Sequence, residues 1–294
     1  MKIAIFGQFY HYTSAESIAT LCNFLEKKKI DIYIEKEFYS LLKLNNVILK
    51  NFNSFKTYKK LDDTYDLLIS IGGDGTILRA MTFIKESDIP IIGINTGRLG
   101  FLATIQDDEI EVALESIFNN DYKISERTLL QIETDPINKD LQELNFALNE
   151  IAVSRKNTTS MITVETLLDD EYLTSYWADG LIISTPTGST GYSLSCGGPV
   201  ITPGTPSIVL TPIAPHNLNA RPLVIPDKTV IQLKVSGRED NYLVSLDSRI
   251  ATLENETTVI IKKANFKIKM IELKNESFLR TLRKKLLWGE DRRN

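Results

Sequence analysis

Short apolar segments alternate with amphipathic ones over the first hundred residues. The segment Ser14–Lys29 repeats its apolar residues at helical spacing, and a second helix is predicted to follow Thr76. The short apolar segments predict buried strands at Lys2–Gly7, Asp31–Glu35, Asp66–Ile71 and Ile89–Ile94. This alternation predicts an α/β N-terminal domain, with a parallel, Rossmann-like sheet covered by helices. The polar stretch Phe38–Leu61 carries no clear prediction.

The pattern changes after Phe101. One helix is predicted at Asp107–Phe118, and a basic amphipathic helix is predicted at Glu276–Trp288. Between them, strands are predicted at Tyr122–Glu133, Asn145–Ser154, Ile162–Leu168, Tyr172–Ala178, Leu181–Ser184, Ile208–Pro212, Val230–Ser236, Tyr242–Leu246, Thr257–Ile261 and Phe266–Ile271, many of them with period-2 alternation. Such a series predicts an all-β, antiparallel C-terminal domain. We therefore expect an α/β domain at 1–101, a β-rich domain at 102–272, and a C-terminal helix at 273–294 that packs back on the N-terminal domain.

Composition narrows the possible partners and location. The chain has 294 residues, 24% of them charged, with a formal net charge of −4 and a pI of about 5.5. This balance predicts neither a nucleic-acid nor a membrane partner. The two cysteines, Cys22 and Cys196, lie far apart and predict no disulfide framework. Because Met1 leads directly into a predicted strand and not into a signal peptide, we expect a cytoplasmic protein.

A glycine-rich loop, Gly72-Gly73-Asp74-Gly75-Thr76, joins a predicted strand to a predicted helix. Glycines let a backbone approach phosphates closely, and a helix N-terminus offers free N–H groups and partial positive charge. A carboxylate beside polyphosphate is unfavourable unless it works with a cation or takes a proton. The loop therefore predicts phosphoryl transfer to a hydroxyl. The alternative is a plain strand-to-helix turn in which Asp74 caps the helix.

A second cluster of small polar residues spans Thr185–Pro199. It packs backbone donors, several hydroxyls and the aromatic ring of Tyr192 into a short stretch, as a nucleotide pocket requires. The alternative is a surface loop rich in Ser, Thr and Gly. The pocket is favoured because the segment joins apolar stretches and carries few charges.

These motifs together resemble those of the NAD kinases, over most of the chain. The matching segments are GGDGT at Gly72–Thr76, GINTGRLGFL at Gly93–Leu102, the pair Asn149-Glu150, ADGLIISTPTGSTGYSLSCGGP at Ala178–Pro199, and NARPLV at Asn219–Val224. The glycine–aspartate loop alone is shared with lipid kinases and phosphofructokinases, whereas Thr185–Pro199 with Asn149-Glu150 is specific. The resemblance implies transfer of the γ-phosphate of ATP to the 2′-hydroxyl of the adenosine ribose of NAD, giving NADP.

The resemblance also implies roles for individual residues. Asp74 is expected to be the general base. The phosphate- and ATP-binding residues are expected to be Gly72, Gly73, Gly75, Thr76 and Arg79. The NAD-binding residues are expected to be Asn149, Glu150, Asp179, Thr187, Ser189, Thr190, Tyr192 and His216. No protein metal site is predicted, so Mg²⁺ is expected to be held mainly by the nucleotide and water.

Several assignments have alternatives from the residues alone. Asn149-Glu150 also fits a strand-end turn, and His216 also fits a structural loop histidine. Asp247 fits either a site or a turn, and Arg98 and Arg221 fit either phosphate contacts or structural ion pairs. Two other functions remain open: a lipid or sphingoid kinase sharing the glycine loop, and a non-catalytic NAD(P)-binding sensor. The resemblance further implies a homo-oligomer, a dimer or tetramer, in which a neighbouring subunit completes the nicotinamide site near Asp179.

Overall fold

The structure, a computed structural model, describes residues 1–8, 13–45, 56–157 and 160–287. The chain divides into two compact units: Met1–Glu126 with the segment from Ile268 onward, and Arg127–Lys267. These limits differ from the predicted domain limits at residues 101 and 272, which rest on where the strand pattern changes. Among the helices of the described ranges, none has the length and apolarity needed to span a bilayer.

The first unit is built on parallel strands. Its strands are β1 (Lys2–Gly7), β2 (Asp31–Glu35), β3 (Lys56–Tyr58), β4 (Leu67–Ile71) and β5 (Ile91–Ile94), in the spatial order β5-β4-β1-β2-β3. Its helices include α1 (Thr13–Lys27), α2 (Lys36–Leu44), α3 (Asp74–Ile84) and α4 (Ile110–Phe118). The predicted α/β domain with a parallel sheet is confirmed. The polar stretch without a prediction contributes α2 and β3, and residues 46–55 lie outside the described residues.

The register of this sheet brings two loops to the same edge. Gly7 pairs with Ile71, and Ile71 pairs with Ile94, so the carboxyl ends of β1, β4 and β5 lie side by side. The glycine-rich loop follows Ile71 directly, and the segment that begins at Asn95 follows Ile94. Ligands on parallel sheets bind at this carboxyl edge, so both loops lie where a ligand is expected.

The second unit is antiparallel, as predicted. Its elements are β6 (Tyr122–Asp135), β7 (Phe146–Ala147), β8 (Glu150–Arg155), β9 (Ile162–Leu168), β10 (Glu171–Ala178), β11 (Gly180–Ser184), α5 (Tyr192–Ser195), β12 (Ser207–Ile213), β13 (Leu223–Pro226), β14 (Ile231–Gly237), β15 (Asn241–Leu246), β16 (Arg249–Glu254) and β17 (Thr258–Leu273). One sheet has the order β13-β12-β11-β8-β15-β16, and another set runs β10-β9-β14-β17. Strand β6 begins before the first residue of this unit, and strand β17 ends after its last residue.

Some predicted strand limits are wrong. Thr257–Ile261 and Phe266–Ile271 form one continuous strand, β17, and the predicted Asn145–Ser154 strand is interrupted between β7 and β8. The short strands β13 and β16, at the two edges of the six-stranded sheet, were not predicted. Edge strands pair on one side only, so their apolar pattern is weaker than that of central strands.

The C-terminal helix α6 spans Phe278–Leu286. Ser277 caps it, because the Ser277 hydroxyl accepts the Arg280 N–H at 3.2 Å. The Phe278 ring lies 6.1 Å from the ring of Phe101, and both residues belong to the first unit. Trp288, the predicted end of this helix, lies outside the described residues.

Candidate functional site

The glycine-rich loop begins helix α3 with a backbone conformation that requires glycine. Gly72 has φ +146°, and a side chain there would also collide with the Thr76 hydroxyl. Around Gly73 and Gly75, by contrast, a Cβ atom would meet no atom within 4 Å. Gly73 is the N-cap and has no side chain to satisfy the first N–H groups of the helix. The loop thus offers free space and helix N–H groups, which suit an anion.

Asp74 does not cap this helix. It is the first helical residue, and its carboxylate turns away to accept three consecutive backbone N–H groups: Phe101 at 2.8 Å on Oδ2, and Leu102 at 3.0 Å and Ala103 at 2.9 Å on Oδ1. The capping alternative is therefore wrong. A carboxylate has about four lone-pair positions, so one on Oδ2 stays open. Asp74 is half-buried, which leaves that position within reach of a ligand.

The segment that holds Asp74 is itself organised by Asn95. The buried Asn95 side chain donates to the Arg98 carbonyl at 2.7 Å and accepts the Gly97 N–H at 2.7 Å. Gly100 lies directly against the Asp74 carboxylate, where any side chain would collide with it. Sequence reasoning did not single out Asn95 or Gly100 individually, although both lie in the matched segment Gly93–Leu102.

In the second unit, Asn149 and Glu150 form the entry to strand β8 and carry unsatisfied acceptors. Among the described residues, neither Asn149 Oδ1 nor Glu150 Oε2 has a hydrogen-bond partner, although both atoms are buried. Buried acceptors without partners are costly and rare in native proteins, so they indicate a ligand that donates hydrogen bonds there.

The Thr185–Pro199 segment packs against this pair. The Tyr192 N–H donates to the Glu150 carboxylate, and a Cβ at Gly191 would stand 3.2 Å from Glu150 Oε2. The Thr185 N–H donates to the Asn149 carbonyl at 2.9 Å. Asn149-Glu150 and the predicted nucleotide segment therefore lie together, and the burial of Thr185, Thr187, Ser189 and Ser193 disfavours the surface-loop alternative for the first half of the segment.

The remaining NAD-binding candidates have different surroundings. Ser189 is fully buried, and its hydroxyl bonds the Pro186 carbonyl at 2.7 Å and accepts the Ile201 N–H at 2.9 Å. Thr190 is half-buried, and its hydroxyl donates to the Thr187 carbonyl at 3.3 Å. Tyr192 is 44% exposed, which leaves its ring available to a ligand.

Asp179, Tyr192 and Glu150 are electrostatic neighbours. Partial burial raises the pKa of the Tyr192 phenol, and Cys196, Asp179 and Glu150 raise it further. Burial also raises the pKa of Glu150 to about 8, with a second contribution from the negative charge of Asp247. Asp179 forms an ion pair with Arg155 at 3.0 Å.

His216 and Arg221 have identifiable contacts within the second unit. The backbone N–H of His216 donates to the Trp177 carbonyl at 2.8 Å. The centroids of the His216 and Trp177 rings lie 5.0 Å apart. The Arg221 guanidinium donates to the carbonyls of Leu218 and Ala220, so backbone contacts replace the ion pair considered for it. Arg79 and Arg98 are exposed.

A metal ion near these groups would need ligands beyond the side chains of the described residues. Within the described ranges, no three His, Cys, Asp or Glu side chains lie close enough together to hold a metal ion. The carboxylate of Asp74 is largely occupied by backbone donors. A divalent cation at the glycine-rich loop would therefore take most of its ligands from a nucleotide and water.

Comparisons with known proteins identify the family. The family model described as the ATP-NAD kinase N-terminal domain matches residues 3–122, and the one described as the ATP-NAD kinase C-terminal domain matches residues 148–273. NAD kinases from Christiangramia forsetii and Flavobacterium psychrophilum are 61% and 60% identical, each over 100% of both chains.

Solved structures agree with this relationship. An NAD kinase from Archaeoglobus fulgidus in complex with ATP has a TM-score of 0.75 and 25% identity, covering 98% of this chain and 99% of that one. Yeast NADH kinase complexed with NADH has the same fold, with a TM-score of 0.86 at 22% identity, covering 99% of this chain and 88% of that one. Nothing in these matches supports a lipid kinase or a non-catalytic sensor. The chain belongs to the NAD kinase family, and its activity is that of an NAD kinase.

Proposed function

We propose that the chain transfers the γ-phosphate of ATP to the 2′-hydroxyl of the adenosine ribose of NAD, with Asp74 as the general base. The observation that carries this assignment is the Asp74 carboxylate, fixed by three backbone N–H groups with one Oδ2 lone pair left open. A ribose hydroxyl is a weak nucleophile, so a fixed proton acceptor lowers the barrier as the new phosphorus–oxygen bond forms.

The donor nucleotide is bound, in this proposal, by Gly72, Gly73, Gly75, Thr76 and Arg79. The open space at Gly73 and Gly75 lets phosphate oxygens approach the first N–H groups of helix α3. Arg79 lies one helical turn after Gly75 and supplies positive charge. Mg²⁺, held mainly by the nucleotide and water, neutralises charge on the donor phosphates.

NAD is bound, in this proposal, by Asn149, Glu150, Asp179, Thr187, Thr190, Tyr192 and His216, with the buried Ser189 holding their segment in shape. The unpartnered Asn149 amide oxygen meets a donor on the adenine edge, and Glu150 accepts from ribose hydroxyls. Asp179 bonds the nicotinamide amide. We also propose a cytoplasmic location, because Cys22 and Cys196 are both free thiols.

The test replaces Asp74 with Asn, which keeps the shape of the side chain and removes the proton acceptor. Turnover measured as NADP formed from ATP, Mg²⁺ and NAD should fall about 10²–10⁴-fold, the usual worth of a positioned base. NAD affinity, measured by calorimetry, should change little. The matched control is Asp63→Asn, an exposed aspartate of the same unit, which should keep full turnover. Near wild-type turnover in Asp74→Asn would exclude the base assignment.

A further inference from the structure

Asp247 closes the turn that carries Asn149 and Glu150. It lies between β15 and β16 with φ +52°. Its Oδ1 atom accepts the N–H groups of Asn149 at 2.8 Å and Glu150 at 3.2 Å, and its Oδ2 atom accepts that of Leu148 at 3.0 Å. The Asp247 N–H in turn donates to the Glu150 carbonyl at 3.0 Å. Four hydrogen bonds thus tie this one residue to three consecutive residues.

Burial keeps Asp247 from meeting a substrate itself. Its side chain is only 2% exposed, and its strongest hydrogen bonds go to the backbone. The nearest cation, Arg249, stands 3.9 Å away and directs its guanidinium to the carbonyls of Leu144 and Phe146. Asp247 therefore acts on the site only through the residues it holds, and Arg249 compensates its charge incompletely.

The carboxyl group of Asp247 is an electrostatic neighbour of Glu150. Burial raises the pKa of Asp247 as well, whereas its three backbone donors and Arg249 favour its charged form. The groups around Glu150 are Asp247 and Arg249 from the β15–β16 turn, and Tyr192 with its neighbours Cys196 and Asp179. Among the described groups, the Tyr192 N–H favours a carboxylate on Glu150, whereas burial and Asp247 oppose it. The Oε2 atom is buried without a partner among the described residues. Without a ligand, the arrangement therefore favours a protonated Glu150.

We propose that Asp247 is a positioning residue for NAD: it fixes the backbone of Asn149 and Glu150, and its charge makes NAD binding release a proton from Glu150. The ribose hydroxyls of NAD donate to Glu150, and hydrogen bonds to a carboxylate are stronger than those to the neutral acid. NAD binding therefore favours loss of the carboxyl proton, which passes to solvent. This inference rests on the proposed NAD-binding role of Asn149 and Glu150.

Calorimetry of NAD binding in buffers of different ionisation enthalpy counts the protons released. With the pKa of Glu150 at about 8, the wild-type protein should release close to one proton per NAD at pH 7 and fewer above pH 8. NAD affinity should rise with pH and level off near pH 8. The Glu150→Gln variant should release no proton at this group and should bind NAD more weakly.

Asp247→Asn removes the charge and places an amide N–H₂ against a backbone donor. Because the like charge is gone, the pH at which NAD affinity levels off should fall by up to about one unit, and fewer protons should be released at pH 7. The loosened turn should raise the KM for NAD about 10-fold, from a buried group left unpaired, with kcat and the KM for ATP nearly unchanged. The control is Asp240→Asn, an exposed aspartate at the other end of β15.

The outcomes distinguish the proposed NAD-binding role of Glu150 from the proposed positioning role of Asp247. Unchanged NAD affinity in Glu150→Gln overturns the NAD-binding role itself. Weaker binding in Glu150→Gln, together with wild-type affinity and proton release in Asp247→Asn, overturns only the positioning role. If Asp247→Asn fails to fold, the wild-type proton count decides, because a wild-type protein that releases no proton at pH 7 contradicts the inference.

Discussion

At the scale of single residues, two aspartates share one hydrogen-bonding pattern but have different proposed roles. Asp74 and Asp247 each accept three consecutive backbone N–H groups from a distant part of the chain. Asp74 is half-buried and keeps an open lone pair, whereas Asp247 is 2% exposed. Exposure, and not the bonding pattern, therefore separates a residue suited to chemistry from one suited to positioning.

Glu150 should make the stability of the protein depend on pH. Its pKa in the folded protein is about 8, above the ordinary value of 4.5, because of burial and then Asp247. The folded state therefore binds more protons than the unfolded state between these values, and the free energy of unfolding falls as pH rises through that interval. Glu150→Gln lacks this titration. Relative to the variant, the wild type should lose on the order of 1–4 kcal/mol between pH 5 and pH 8.5.

Urea unfolding of both proteins at the two pH values measures this difference, and titrating groups that do not interact with Glu150 cancel in the comparison. Parallel pH profiles for the two proteins would mean that Glu150 has an ordinary pKa. The expected cost agrees with a general trade-off, in which binding sites keep groups that destabilise the free protein.

The sequence draws attention to the proposed general base more readily than to the residues that hold it. Asp74 stands out because a carboxylate beside polyphosphate is unfavourable unless it works with a cation or takes a proton. Its donors, Phe101 to Ala103, are 27–29 residues away, and no local pattern links them to it. The role of Asp247 stayed open for the same reason, since its donors lie 97–99 residues earlier in the chain.

At the scale of elements, two glycines at the start of helix α3 serve different purposes. Gly72 is required by the backbone conformation, and Gly75 leaves space for a ligand. Gly75 lies in the first helical turn with open space where a side chain would stand, whereas Gly72 has φ +146° and touches Thr76. Gly75→Ala should raise stability by up to about 1 kcal/mol, because alanine favours helix over glycine. The same methyl group should raise the KM for ATP, since it fills the space assigned to phosphate.

Gly72→Ala serves as the contrasting variant. It should lower stability by about 1–3 kcal/mol, because the backbone is in a region that alanine rarely adopts. Thermal unfolding and ATP-dependent kinetics of the two variants provide the measurement. If Gly75→Ala leaves the KM for ATP unchanged, the phosphates do not approach the loop at that position.

Long strands are where sequence patterns mislead at this scale. The segment Lys262 to Asn265 separates two predicted strands, yet β17 runs through it without interruption. Its two lysines form ion pairs with residues distant in sequence. Lys262 Nζ lies 2.6 Å from Glu133 Oε1, and Lys263 Nζ lies 2.5 Å from Asp227 Oδ2. Pairing of charges through tertiary contacts leaves no trace in local alternation, so the strand was divided wrongly.

At the scale of the whole molecule, the change from strand–helix alternation to continuous strands predicts both fold classes, and both are confirmed. The exact division is less accessible from the sequence. The segment 102–126, with helix α4, belongs to the first compact unit, as does the end of β17. The limit between Lys267 and Ile268 falls inside β17, where no element ends, so the strand pattern does not mark it.

We predict that the purified protein is an oligomer and not a 33.2 kDa monomer. The β-rich unit leaves large apolar side chains exposed close to proposed NAD-binding residues: Trp177, beside His216, is 50% exposed, and Leu218 is 90% exposed. Exposed apolar groups next to a site are typical of an interface, and a symmetric assembly would bury them.

Sedimentation at micromolar concentration, with and without NADP, gives the mass of the assembly. Leu218→Ser, at a residue whose side chain is almost fully solvent-exposed, should weaken assembly without lowering the stability of the chain. A single species at the monomer mass with full kinase activity would rule out any required contribution from a neighbouring subunit.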